Sequence, residues 1–70
     1  MITEMLKEHE VRTSISRRIV QLWIDEGKFV VYVYKKAFSR EVSCDFTFAL
    51  LEDATQFYNL TVKASFIGGK

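Results

Sequence analysis

Two long apolar arms on either side of Asp25-Glu26-Gly27-Lys28 constrain this chain more than any other feature. Ser14–Asp25 carries Ile15, Ile19, Val20, Trp23 and Ile24, and Lys28–Lys36 carries Phe29, Val30, Val31, Tyr32, Val33 and Tyr34. β-Branched and aromatic residues at this density favour strands, and a glycine-containing turn between two such runs signals a β-hairpin. The register has two solutions. A two-residue Glu26-Gly27 loop pairs Asp25 with Lys28 and sets Val20, Leu22 and Ile24 beside Val33, Val31 and Phe29. It also demands positive φ at Glu26, which strains a residue with a side chain. A three-residue loop with Gly27 left-handed suits the turn chemistry better and slides Val20, Leu22 and Ile24 onto the face of Val30, Tyr32 and Tyr34. Both faces of the hairpin are apolar in either case.

The remaining chain must cover those faces. Thr3–Glu10 reads as a short amphipathic helix, with Thr3 as N-cap and Ile2, Met5, Leu6 and His9 on one side. Glu41–Ala49 alternates, with Val42, Cys44, Phe46 and Phe48 opposite Glu41, Ser43, Asp45 and Thr47, so it reads as a third, half-buried antiparallel strand. Leu51, Ala54, Phe57 and Tyr58 have helical spacing, whereas Tyr58, Leu60, Val62, Ala64 and Phe66 alternate with polar residues. We expect a short helix over Leu50–Tyr58 and then a strand over Leu60–Phe66; a single helix to Ala64 is the alternative. Gly68-Gly69-Lys70 reads as a frayed tail. The expected fold is therefore α+β: an antiparallel sheet of three to four strands built on the long hairpin. A short N-terminal helix and a short helix after the third strand complete it.

Seventy residues form one small domain, residues 1–70, and a chain of this size buries only about 60% of its unfolded surface. Such scaffolds usually need a staple or a partner. The one cysteine excludes an internal disulfide, and one histidine with one cysteine is too few for structural zinc. With 49% hydrophobic residues the composition is that of a folded chain. No apolar run reaches the roughly 18 residues of a membrane span, and the N-terminus is too acidic for a signal peptide, so a cytoplasmic protein without a membrane partner is expected. No cofactor fingerprint, metal motif or nucleophile–base pair is present, and we expect no enzyme.

Charge is distributed unevenly. The span from Arg12 to Arg40 carries seven basic and two acidic residues, whereas the segments before and after it are each net −2. Arg17, Arg18, Lys35, Lys36 and Arg40 gather toward the open end of the hairpin, where opposed like charges cost stability. Either the glutamates Glu4, Glu8, Glu10 and Glu41 fold back over them, or an external anion, nucleic acid or an acidic protein, compensates. Two function classes follow. The first is a small non-enzymatic interaction protein, a homodimer formed through an apolar sheet face centred on Ile15, Ile19 and Trp23. The alternative is a single-stranded nucleic-acid binder using the basic end, with aromatic residues for base stacking.

Overall fold

The computed structural model describes residues 3–67; Ile2 and the Gly68-Gly69-Lys70 tail lie outside them. Four strands are followed by one helix: β1 (Thr3–Arg12), β2 (Ser16–Asp25), β3 (Lys28–Ala37), β4 (Arg40–Phe48) and α1 (Leu51–Ile67). The strands form one antiparallel sheet in the order β1-β2-β3-β4, each beside its neighbour in sequence.

The central hairpin takes the two-residue loop, correcting the three-residue loop that turn chemistry favours. Asp25 pairs with Lys28, Leu22 with Val31 and Val20 with Val33. Glu26 and Gly27 both have positive φ, 50° and 78°, as a type I′ turn requires. The reason lies in the core. A one-residue slip would move every side chain of one arm to the other face, whereas this register buries Val20, Leu22, Val31 and Val33 together. Several buried side chains outweigh about 1–2 kcal/mol of left-handed strain at Glu26.

Three expected elements are not formed. Thr3–Arg12 is an edge strand, where a short helix over Thr3–Glu10 was expected. Two helical turns nucleate poorly in isolation, and the extended chain pairs its backbone with β2 from Thr3↔Asp25 to Arg12↔Arg17. A bulge between Met5 and Lys7 interrupts the ladder, and the extra residue hides the two-residue alternation in the sequence. Likewise, the short helix after a third strand and the strand over Leu60–Phe66 are replaced by one 17-residue helix after the fourth strand. Ala54 and Tyr58 enter the core, and Phe57 and Val62 pack against it, which is the i, i+3, i+4 stripe of a helix. Thr61 Oγ1 donates to the Phe57 carbonyl at 2.8 Å, satisfying its hydroxyl within the helix.

Helix α1 covers one face of the sheet. The core it closes comprises Val20, Leu22, Val31, Val33, Ala54 and Tyr58. Phe57 reaches the β4 side, its ring 4.8 Å from Phe46 and 5.4 Å from Phe48 between centroids. On the β1 side, Lys7 Nζ lies 5.9 Å from the centre of the Tyr58 ring.

Candidate interaction surface

Strand alternation sends the complementary set of side chains to the face that α1 leaves open. The register aligns them in rows: Met5, Trp23, Val30 and Thr47; Glu8, Gln21, Tyr32 and Asp45; Glu10, Ile19, Tyr34 and Ser43; Arg12, Arg17, Lys36 and Glu41. The middle of this face is aromatic and aliphatic. Ile19, Trp23, Val30, Tyr32 and Tyr34 are half-buried, shielded by one another. Met5 at its margin is exposed.

Polar groups bordering this centre hold one another. The Trp23 indole Nε1 donates to Gln21 Oε1 at 2.9 Å, and Gln21 Nε2 donates to Glu8 at 2.8 Å. These bonds fix the glutamine amide and satisfy the indole N–H on the open face. The Tyr34 hydroxyl donates to the Glu41 carboxylate. That bond, followed by partial desolvation, raises the Tyr34 phenol above the usual tyrosine range. Glu10 accepts from Arg17 Nε at 2.6 Å and from an Arg12 guanidinium nitrogen at 3.0 Å. The Arg17 bond first, then the Arg12 bond, holds the Glu10 carboxyl below its ordinary value.

The residues singled out in the sequence are only partly brought together. Ile19 and Trp23 share the open face, with Val20 and Leu22 turned the other way. Ile15 does not join them. It sits in the β1–β2 loop at 59% exposure, where its carbonyl accepts from the Phe38 backbone N–H at 3.3 Å. The five basic residues are divided by the sheet. Arg17 opposes Lys36 on the open face, and Arg18 opposes Lys35 on the helix side. Arg40 opens β4, also on the helix side, opposite Ala37. Met5, Glu8 and Glu10 contribute to this surface from a segment whose strand character the bulge concealed. Val30, Tyr32 and Tyr34 were visible as an alternating set, but their face depended on the register.

Other chemistry has little to build on among the described residues. Cys44 is an exposed free thiol on the helix side. His9, opposite Val20 on β1, encloses its Nε2 without a hydrogen-bond partner. No group of three or more metal-ligating side chains is found among those residues, and no helix there is long and apolar enough to cross a membrane. No family model matches the chain, and neither the curated proteins nor the solved structures yield a match.

Proposed function

We propose that this protein is a small non-enzymatic interaction module, cytoplasmic, whose open sheet face associates with the same face of a second copy. The observation that carries this reading is the uncovered row of Ile19, Trp23, Val30, Tyr32 and Tyr34 opposite α1. Trp and Tyr are enriched where interfaces hold their binding energy, and a sheet with one helical cover has one face to spare. The size is suitable: a molecule measuring 37 × 22 × 15 Å has a broad side comparable with the roughly 800 Å² per partner of a standard interface.

The single-stranded nucleic-acid reading has less support. Aromatic residues on an open sheet suit base stacking, but Glu8, Glu10, Glu41 and Asp45 occupy the same face. The bases expected to track a phosphate backbone point to both sides of the sheet. Sedimentation velocity of the parent and of Trp23→Ser tests the choice. A dimer in the low micromolar range that becomes a folded monomer on substitution supports face-to-face association. A parent monomer at about 100 μM overturns it, and salt-sensitive binding of an oligonucleotide by that monomer would favour the alternative.

A further inference from the structure

The two edges of the sheet are built differently. On β1, Glu4, Lys7, Glu8, Glu10 and Arg12 are charged and the bulge at Leu6 breaks the line of backbone groups. Charges and bulges are the usual means by which a protein stops an edge from recruiting another strand. On β4 the ladder to β3 runs without interruption from Ala37↔Arg40 to Phe29↔Phe48. Arg40–Phe48 carries three charges, Arg40, Glu41 and Asp45, but no proline, lysine or bulge, and Val42 and Phe46 are 60% and 41% exposed.

Backbone direction follows from the register. Ala37 and Arg40 flank the two-residue Phe38-Ser39 loop, so they form a hydrogen-bonded pair. Alternation then turns the backbone groups of Arg40, Val42, Cys44, Phe46 and Phe48 toward β3. Those of Glu41, Ser43, Asp45 and Thr47 point outward, with no strand beside them among the described residues. An antiparallel second strand must meet outward residues with outward residues, which limits a twofold contact to registers centred on a single residue. Centred on Ser43, it opposes Glu41 to Asp45 twice. Centred on Asp45, it opposes that carboxylate to itself. Centred on Val42 or Phe46, it shortens the overlap.

Centred on Cys44, every outward residue is used. Ser43 meets Asp45 and Glu41 meets Thr47 in hydrogen-bonded pairs, with no like charges opposed. On the helix side, Val42 meets Phe46 of the second copy. We propose that β4 is a self-complementary edge that pairs with β4 of a second copy in this register, extending the sheet across a twofold axis at Cys44. A groove of about 360 Å³ runs from Arg18 and Val33 out to Val42, Cys44 and Phe46, beside Phe57 of the helix, and pairing brings the outer ends of its two copies together at the seam. This contact is separate from the open-face association. The four outward residues bury far less than the open face, so edge pairing is the weaker contact; only where both are occupied do the two twofold contacts close, at the smallest, into a tetramer.

The central cysteines supply the test. Opposed residues of a non-hydrogen-bonded antiparallel pair have Cα atoms about 4.5 Å apart, within the range a disulfide spans. Treating the full chain with diamide should therefore join two copies. Two thiols form one S–S bond, and their two protons and two electrons reduce the diazene to the hydrazine. We expect a covalent dimer on a non-reducing gel that is absent for Cys44→Ser. Ser43→Asp, which opposes Asp45 by symmetry in two places, should slow its formation about three- to tenfold. Ser43→Lys, placing opposite charges there, should speed it. Trp23→Ser should leave the rate unchanged, so failure of the face contact and failure of the edge contact are told apart. No covalent dimer, or one that forms at the same rate in both Ser43 variants, would overturn the proposal.

Discussion

Adjacent residues Leu22 and Trp23 face opposite sides of the same strand and live in different worlds. Leu22 is 1% exposed beneath α1. Trp23 is half-buried among neighbours on its own sheet, with its indole tied to Gln21. Both faces are hydrophobic, so composition does not distinguish them. The difference is the cover. One face is closed by seventeen residues of the same chain, and the other presents ring faces bordered by carboxylates, guanidinium groups and an amide that already satisfy one another. The covered face also has a charged border, in Lys7, Arg18, Lys35 and Arg40, so what separates the two is the helix and not the polarity of the rim.

The largest expected effect breaks the covered side. Leu22→Ala should cost about 2–5 kcal/mol, a large part of the stability of a domain this small, read as a lower denaturant midpoint. Trp23→Ala should cost the monomer roughly 1–2 kcal/mol while reducing self-association more than it reduces folding. If the two variants destabilise the monomer equally, the faces are not different in kind. Next, Ala54→Leu adds bulk where α1 touches the sheet, at a residue with no exposed surface. Overpacking of about 1–3 kcal/mol should appear in thermal melts, with Trp23 fluorescence little changed.

A smaller effect concerns the turn that assigns residues to faces. Glu26 adopts φ 50° before a glycine at 78°, and asparagine tolerates that conformation better. Glu26→Asn should therefore stabilise by about 0.5–1 kcal/mol and raise the melting temperature. A loss of stability would mean that the turn is not holding this register.

The smallest effect belongs to the polar rim. The folded-state pKa of Glu10 is lowered, so its contribution is present above the ordinary value of 4.5 and lost as pH falls through the folded value. Tyr34 is raised, so its contribution is present below the ordinary value of 10 and lost as pH rises through the folded one. Melting curves of Glu10→Gln should flatten on the acid side only, and those of Tyr34→Phe on the alkaline side only.

The sequence exposed the sheet more readily than its boundaries. The hairpin arms and the alternating strand over Glu41–Ala49 announce themselves because β-branched and aromatic residues recur at period two. The N-terminal strand does not, because one bulged residue at Leu6 shifts the alternation and leaves Met5, Leu6 and His9 looking helical. The C-terminal segment satisfies both periods at once, and only the need of Val20, Leu22, Val31 and Val33 for a cover decides in favour of the helix. Trp23 and Ile19 were legible as a surface pair because they are two turns of the pleat apart. Ile15 was placed with them by spacing alone, and the loop that begins at Thr13 removes it. The basic residues were legible as partners across the ladder, and Arg17 opposes Lys36 and Arg18 opposes Lys35. The two pairs part because residues adjacent along a strand point to opposite sides of the sheet.

The simple strand order has a consequence for how the molecule comes into being. Every strand pairs with the one made just before it, so the sheet can zip up as each segment appears, and hairpins close within about 1–10 μs. The helix comes last, and its 17 residues take about 1–3 s to synthesise at roughly 5–20 residues per second. Until the helix docks, Val20, Leu22, Val31 and Val33 have no cover from their own chain. A chain interrupted before Ala54 and Tyr58 would carry apolar side chains on both sides of its sheet, and it is the last element made that closes the first core.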